Sequence, residues 1–223
     1  MSEDFEQVRY RLMQHAIAPE AARAATERAL ALARDPQAFV AEPRYGARGR
    51  YADELTERLL LELQPLVEKV VGRSLHPCYS YLRLYGTGAD LHAHLDRPSC
   101  EYSTTLTLGY DADAPWPIWV RRDGVGHAVS LGVGDMLVYM GAQVVHWRER
   151  FAGRWWLQAF LHYVDAQGDY ARFKFDGRER IGAFDWRTGK RANLPPPEPR
   201  PSDPCPCLSD RPYGECHGRR RLG

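Results

Sequence analysis

The sequence predicts a domain of the α+β class, in which helices precede a β-sandwich core along the chain. The first 75 residues carry apolar residues at helical spacing, and the residues after Pro77 form short aromatic and β-branched runs separated by turn residues. No internal repeat divides the chain. With 223 residues, it has room for one domain of roughly 150–190 residues and a small appendage.

Three helices are expected in the N-terminal part. The first is indicated by apolar residues at helical spacing, namely Phe5, Val8, Leu12 and Ile17. A second covers the Ala-rich stretch from Pro19 to Ala33, where the proline suits a first helical turn. A longer helix is expected from Tyr51 to Val71, with a broad apolar face and a kink at Pro65. These helices are expected to buttress a sheet.

Six strands are expected after Pro77. Each candidate is short, is rich in aromatic or β-branched residues, and is bounded by Gly, Asp or Pro, a rhythm typical of an antiparallel sandwich or barrel. The six are Tyr79–Tyr85, Tyr102–Leu108, Pro117–Arg121, His127–Leu131, Met136–Met140 and Trp155–Tyr163.

The bulk composition gives no sign of an anionic macromolecular partner. The 30 Lys and Arg residues nearly balance the 29 Asp and Glu residues, so the chain has no global attraction to nucleic acid or to a membrane surface. The charged N-terminus lacks a secretion signal, and no apolar run approaches the roughly 18 residues of a membrane span. We therefore expect a cytoplasmic protein without a membrane partner.

A possible metal site stands near the middle of the chain. His94-Leu95-Asp96 is a His-x-Asp triplet, and His146 follows 52 positions after His94, behind a strand-like run. Two imidazoles and one carboxylate can hold Fe(II) on one face and leave neighbouring positions free for a co-substrate and O2. The triplet alone is equally typical of a strand end followed by a turn-forming Asp.

A second ligand set is also open. On an extended strand His92 would face the same side as His94 and Asp96, so it competes for the metal. With Glu101 and His146, the two histidines approximate the first motif of a cupin, which would predict a metal dioxygenase or isomerase without 2-oxoglutarate. The gap from His94 to Glu101 is longer than cupins usually have.

The run Tyr85-Gly86-Thr87-Gly88 before the triplet, and the run from Leu131 to Met140 before His146, favour the first ligand set. Together with His94 and Asp96, they resemble the prolyl-hydroxylase-like branch of the Fe(II)/2-oxoglutarate-dependent dioxygenases. The resemblance covers roughly residues 78–163. It implies that the helices pack on a double-stranded β-helix, or jelly-roll, core that holds iron at His94, Asp96 and His146.

The same resemblance implies a basic residue for the far carboxylate of 2-oxoglutarate. Many relatives carry Lys or Arg ten positions after the distal histidine, where this chain has Trp156. Arg154 is therefore the first candidate, and Arg148, which shares strand parity with His146, is the second. Tyr85 matches a position where related enzymes place a phenol near 2-oxoglutarate.

The activity that the resemblance implies is hydroxylation of an unactivated C–H bond, with O2 and 2-oxoglutarate as co-substrates and ascorbate as a candidate reductant. Asp96 fills the position that related halogenases leave open for chloride. The expected substrate is an amino-acid side chain in a protein, a peptide or a free amino-acid-like molecule. Arg97 and Glu101 could bind the charged groups of an amino acid, and several tryptophans could line its pocket, namely Trp116, Trp119, Trp147, Trp155 and Trp156.

Four zinc-type ligands lie within 13 residues at the C-terminus, namely Cys205, Cys207, Cys216 and His217. They resemble the SEC-C zinc motif of the bacterial secretion ATPase, although the interior from Leu208 to Pro212 departs from its usual sequence. The motif implies a docking role toward a macromolecule. The organisation expected is an oxygenase domain over residues 1–185 (helical over 1–75, with a β-helix core over 76–180), a Pro-rich linker over 186–204 and a zinc knuckle over 205–223. A non-catalytic adaptor that acts through this tail is the remaining alternative.

Overall fold

The computed structural model describes residues 4–182, the backbone of residues 184–185 and 190–191, and the isolated residues Pro212 and Glu215. Its strands are β1 (Tyr10–Met13), β2 (Val40–Glu42), β3 (Ala47–Tyr51), β4 (Leu75–Gly86), β5 (Leu91–His94), β6 (Tyr102–Asp111), β7 (Ile118–Arg122), β8 (Val125–Val129), β9 (Met136–Tyr139), β10 (His146–Arg148), β11 (Trp155–Asp165), β12 (Phe184–Asp185) and β13 (Lys190–Arg191). Its α-helices are α1 (Phe5–Val8), α2 (Pro19–Leu32), α3 (Glu54–Glu62) and α4 (Gln64–Val71). Short 3-10 turns lie at Pro43–Tyr45, Pro98–Cys100 and Ala171–Gly177.

Two antiparallel sheets form the body of the protein. One has seven strands in the order β1-β9-β6-β11-β4-β3-β2, and the other has four in the order β5-β10-β7-β8. Residues of both sheets line a common cavity, so the sheets face each other as the two layers of a sandwich. Within the described residues, β12 and β13 form a separate two-stranded sheet. The expected class, helices packed on a β-sandwich, is confirmed.

The helices cover the outer face of the seven-stranded sheet. Helix α2 contacts β6, and α3 contacts β4 and β11. The apolar residues between these layers form the main core, which includes Ala29, Leu60, Val67, Leu82, Leu106 and Leu161. Each of the six has none of its surface exposed, so this layer is a well-packed hydrophobic interface. No helix in the described part of the chain combines the length and hydropathy that crossing a membrane requires.

The expectation that the first 75 residues are helical was wrong in part, because they also supply three strands. Leu12 lies on β1, opposite Leu137 of β9, and not on the first helix. That helix ends after one turn at Arg9, which adopts the left-handed conformation with a φ of 63°. Strands β2 and β3 form a hairpin whose second strand pairs with β4. Pairing with the sheet edges therefore overrides the helical spacing.

The long helix expected from Tyr51 to Val71 is two helices. Tyr51 ends β3, and Asp53 caps α3 by accepting a hydrogen bond from the Leu55 amide at 3.0 Å. Helix α3 ends at Glu62, and α4 begins with Pro65 in its first turn. Because proline lacks an N–H and clashes with the preceding turn, the break lies where a kink was expected.

All six strands expected from the sequence are present, and their ends lie within four residues of the expected ones. Four strands after Pro77 were not predicted. Two of them, β12 and β13, have only two residues each. The other two are β5, with the sequence LHAH, and β10, with the sequence HWR, both of which are too short and too polar to stand out as strands. These two strands lie side by side in the smaller sheet.

Candidate metal centre

The His-x-Asp triplet and the distal histidine meet across two neighbouring strands. His94 ends β5 and His146 begins β10, and the two residues are directly paired in the antiparallel register. Asp96 lies on the loop after β5, where its amide donates a hydrogen bond to the Gly141 carbonyl at 2.9 Å. The structure therefore brings together three residues that span 52 positions of the chain.

The ligand atoms of the three residues converge. Oδ1 of Asp96 lies 3.5 Å from Nε2 of His94 and 3.6 Å from Nε2 of His146. One ligand atom from each residue lies within 4.8 Å of the other two. Neighbouring ligands at about 2.1 Å from a metal are about 3 Å apart, so the two distances to Asp96 are about 0.5 Å longer than those of a closed site.

Both imidazoles turn Nε2 toward that point. Nδ1 of His94 donates to the His92 carbonyl at 2.8 Å, and Nδ1 of His146 donates to the Val144 carbonyl at 2.9 Å. A carbonyl can only accept, so each ring carries a proton on Nδ1, and Nε2 is the nitrogen that a metal can bind once it is free of a proton. This is the usual support of metal-binding histidines, because it fixes both the tautomer and the ring orientation.

The protonation states suit a cation. Burial alone would raise the pKa of Asp96, but His146 and His94 hold it well below its usual range, so the carboxylate is ionised. Burial lowers the pKa of His146, which keeps that ring neutral. Burial also opposes charge on His94, but the hydrogen bond and charge of Asp96 outweigh it and raise its pKa. A metal ion would replace the proton that Asp96 attracts.

The alternative set with His92 and Glu101 does not assemble. His92 is exposed, while His94 is partly buried on the cavity side. Glu101 points away from the cluster, and its carboxylate accepts a hydrogen bond from the Asp165 amide at 2.8 Å. Glu101 is therefore not available as a partner of Arg97 for an amino-acid ligand either.

A cavity of about 420 Å³ opens from the cluster between the two sheets. The smaller sheet and its loops contribute Leu91, His94, Leu95, Asp96, Arg97, Cys100, Ile118, His146 and Arg148. The larger sheet and its hairpin contribute Glu42, Tyr45, Tyr51, Tyr79, Tyr81, Arg83, Tyr139, Phe160 and His162. The candidate metal point therefore faces a space between the sheets with room for small ligands.

Arg148 is an uncompensated cation in this cavity. It is 2 % exposed, and its guanidinium donates to the Trp116 carbonyl and, at 3.5 Å, to Oε1 of Gln158. Among the residues that the structure describes, no carboxylate pairs with it. Burial lowers its pKa to about 10, which is far below the ordinary value for arginine. Nε2 of Gln158 is also buried and lacks a partner among the described residues.

Arg154, the first candidate for the 2-oxoglutarate carboxylate, does not reach the cavity. It precedes β11, its side chain is 83 % exposed, and it pairs with Asp111 at 3.0 Å. Tyr85 is fully buried, and its hydroxyl accepts a hydrogen bond from Arg83 at 3.3 Å, but Tyr85 does not belong to the described lining of the cavity. Of the three expected co-substrate residues, only Arg148 lines it.

None of the five candidate tryptophans belongs to the described lining of the cavity, although two of them pack on Arg148. Arg148 lies over the rings of Trp116 and Trp156, with its guanidinium carbon 4.7 and 5.6 Å from their centroids. Trp119 and Trp147 stack on each other at 5.8 Å. Trp155 packs against the main core.

The sequence did not point to several polar residues at the cavity. Arg83 of β4 binds Glu42 of β2 through two hydrogen bonds of 2.8 and 3.0 Å. Asp176, which is buried, pairs with Arg97 at 3.2 Å. Alternation along β4 from Tyr79 would have placed Arg83 on the inner face. The zinc ligands expected in the tail lie outside the described residues, as does most of the expected linker over 186–204.

Residues 202–219 match the family described as the SEC-C motif. Comparison with curated proteins gives no match.

Solved structures resemble the chain in fold. A prolyl-4-hydroxylase from Pseudomonas putida is 20% identical with a TM-score of 0.60, over 73% of this chain and 96% of that chain.

HygX from Streptomyces hygroscopicus, solved with nickel and 2-oxoglutarate bound, is 13% identical with a TM-score of 0.61, over 75% of this chain and 88% of that chain. SnoN, a non-haem α-ketoglutarate-dependent epimerase from nogalamycin biosynthesis, is 16% identical with a TM-score of 0.58, over 73% of this chain and 80% of that chain. The described part of the chain therefore has the double-stranded β-helix fold of the prolyl-hydroxylase-like and other 2-oxoglutarate/Fe(II) oxygenases.

Proposed function

We propose that this protein is an Fe(II)- and 2-oxoglutarate-dependent dioxygenase that hydroxylates an unactivated C–H bond. One observation carries the proposal: the facial cluster of His94, Asp96 and His146 opens into the same cavity that buries the unpaired cation of Arg148. The neighbours in fold, which include oxygenase structures with a metal and 2-oxoglutarate bound, support the same activity.

The residues present fit an iron ion. Two imidazole nitrogens and one carboxylate oxygen converge at the cavity and would hold the ion, and this is the ligand set of non-haem Fe(II) oxygenases. A structural zinc site would be closed by a fourth protein ligand. When bound, the iron would supply the activation of O2 that carbon hydroxylation requires. Asp96 occupies the position that a halide would need, which favours hydroxylation over halogenation.

Arg148 is the proposed receptor for the far carboxylate of 2-oxoglutarate. A planar guanidinium binds a carboxylate through two parallel hydrogen bonds and fixes its orientation. The unpartnered Nε2 of Gln158 offers a further donor close to Arg148. Trp116 and Trp156 enclose the guanidinium and exclude water, which strengthens its attraction to an anion.

The proposed substrate is an amino-acid side chain, in a protein, a peptide or a free amino-acid-like molecule. Arg97 supports this proposal, because it lines the cavity directly after Asp96 and its side chain is 37% exposed. A guanidinium has five N–H donors, so it can bind a carboxylate of the substrate while it keeps its contact with Asp176. Tyrosines along the cavity wall offer both ring faces and hydroxyl groups to the rest of the substrate, namely Tyr45, Tyr51, Tyr79 and Tyr81.

The first test is anaerobic reconstitution with Fe(II) and 2-oxoglutarate. We expect the weak visible charge-transfer band of the chelate, followed by succinate release when O2 is admitted. His146→Ala should abolish both signals. His92→Ala is the matched control, because His92 lies on the same strand as His94 but is exposed, and it should behave as the wild type. Ascorbate should sustain turnover without being required for the first cycle.

Two results would contradict the proposal. A cupin-type enzyme would keep its activity in Asp96→Ala and would not consume 2-oxoglutarate. A non-catalytic adaptor would release no succinate under any condition. Once succinate is detected, candidate substrates can be screened by mass spectrometry for the gain of one oxygen atom.

For the tail, we propose a zinc site formed by Cys205, Cys207, Cys216 and His217, which lie within the SEC-C match. A segment of this size cannot bury a core, and zinc binding supplies roughly 10–16 kcal/mol to comparable peptides. The tail would act as a docking module joined to the oxygenase domain by the Pro-rich residues 186–204. The boundaries of these parts and the cytoplasmic location stay predictions.

A further inference from the structure

We propose that Ser103 and His162 form a relay that positions the metal-binding carboxylate of Asp96. The inference rests on the proposed metal centre and adds two residues, which contact the side of the Asp96 carboxylate that faces away from the metal point. Both lie on the inner face of the larger sheet, directly opposite each other on β6 and β11. Neither belongs to the His-x-Asp pattern.

The contacts of Ser103 carry the argument. This side chain is fully buried, and its hydroxyl oxygen lies 3.1 Å from Oδ2 of Asp96, 2.9 Å from Nδ1 of His162 and 3.1 Å from the Cys100 carbonyl. The oxygen that faces the two metal-binding histidines is the other one, Oδ1. The two oxygens of Asp96 are therefore divided between the metal point and the relay.

The direction of the hydrogen bonds follows from the donors available. A serine hydroxyl has one hydrogen, and the carboxylate of Asp96 is the strongest acceptor within its reach. His162 then has to donate from Nδ1 to the serine oxygen. Burial lowers the pKa of His162 to about 4, so the ring is neutral and has one N–H to give. The chain runs from His162 through Ser103 to Asp96.

The surroundings leave the carboxylate little freedom to turn. A Cβ atom at Gly141 would lie 2.5 Å from Oδ2 of Asp96 and 2.5 Å from the Ser103 hydroxyl, so only glycine leaves space for the contact. On the far side, the ring of Tyr79 packs against the ring of His162 at 4.4 Å. With its amide also bonded to Gly141, Asp96 is restrained at both its backbone and its side chain.

The consequence is a carboxylate that offers one oxygen to the metal and keeps the second occupied. Such a ligand would fill a single position on a bound ion. Partners behind a metal ligand typically change metal affinity by 10–100-fold when they are removed. We expect a loss of that size in Ser103→Ala.

The test is a titration of the full-length protein with Mn(II), followed by the EPR signal of the free ion. Manganese suits imidazole and carboxylate ligands and is a poor competitor for the thiolates of the tail. Ser103→Ala should raise the Kd for Mn(II) about 10–100-fold. Thr105→Val is the matched control, because Thr105 is the next inward residue of β6 and its buried hydroxyl has no partner among the described residues. It should bind as the wild type does.

A second pair of variants tests the relay itself. His162→Asn keeps an N–H close to the position of Nδ1 and should retain most of the affinity, whereas His162→Leu should lose as much as Ser103→Ala. A residue that only fills space would not show this rescue. If Ser103→Ala fails to fold, the His162 pair decides alone.

The inference is overturned if Ser103→Ala binds Mn(II) as tightly as the wild type, or if His162→Asn is no better than His162→Leu. Failure of the metal centre is distinguishable, because wild type and His146→Ala would then bind Mn(II) equally poorly. That outcome would overturn both the proposed function and the relay.

Discussion

Replacing Arg148 with methionine separates ligand binding from stability. Methionine has a similar length and no charge, so it fills the space between Trp116 and Trp156 without the buried cation. Burial lowers the pKa of Arg148 from 12.5 to about 10. This shift corresponds to a free-energy cost of about 3 kcal/mol for keeping the side chain charged in the folded protein. A bound carboxylate would recover this free energy.

The substitution should therefore weaken 2-oxoglutarate binding without lowering the stability of the fold. Arg148→Met should weaken 2-oxoglutarate binding by about two orders of magnitude, because about 3 kcal/mol corresponds to roughly that ratio. It should leave the melting temperature of the ligand-free protein unchanged or raise it, since an uncompensated buried charge destabilises the fold. Binding is measured by anaerobic titration of the Fe(II) protein with 2-oxoglutarate, through the charge-transfer band.

Arg154→Met is the matched control for Arg148→Met. Arg154 is largely exposed and pairs with Asp111 at the surface, so its loss should change neither binding nor stability measurably. The reasoning is refuted if Arg148→Met binds 2-oxoglutarate with wild-type affinity. It is equally refuted if Arg154→Met is the variant that loses the co-substrate.

Three further predictions follow from buried charges and from the tail. Burial lowers the pKa of His162 to about 4, below the 6.5 of an unfolded chain, so the unfolded state binds the proton first and the stabilising contribution of the neutral ring is complete above about pH 6.5. About 3 kcal/mol of the free energy of unfolding should be lost as the pH falls to 4. Denaturant titrations should show a smaller loss in His162→Asn, which has no ring to protonate. Glu57→Gln should cost about 3–5 kcal/mol in the same assay, since Glu57 holds the fully buried Arg178 at 2.8 and 3.0 Å, whereas Glu62→Gln on the exposed face of α3 should cost less than about 1 kcal/mol. Cys205→Ser should remove one zinc per chain in elemental analysis and leave succinate formation intact; loss of both would contradict separate domains.

The three candidate metal ligands could be predicted from the sequence because their residue types and their order along the chain are typical of such a site. His94 and Asp96 are neighbours in the chain, and His146 follows an apolar run that ends at Met140. Arg148 was harder to rank against Arg154. Which of the two arginines faces inward depends on where β10 ends and β11 begins. The residues between the two strands are charged, so the sequence does not show where either strand stops.

Ser103 and His162 could not have been found from the sequence. They are 59 positions apart, and only the register of β6 with β11 places them side by side. The same limit explains the N-terminal strands. Leu12 fits a helical pattern locally, but the free edge of β9 offers hydrogen bonds that a single helical turn cannot match. Long-range pairing decides such cases, and no local pattern reports it.

The hairpin of β2 and β3 makes two arginines of the cavity, Arg83 and Arg148, differ in net charge. Glu42 neutralises Arg83 through two hydrogen bonds, while Arg148 keeps its charge without a counterion among the described residues. The far carboxylate of a dicarboxylic acid therefore meets the unpaired guanidinium of Arg148, while its other end is left to the proposed metal point. A Glu42→Gln protein would leave Arg83 without its carboxylate as well, so the acid would have a second guanidinium in the cavity to which it could bind unproductively.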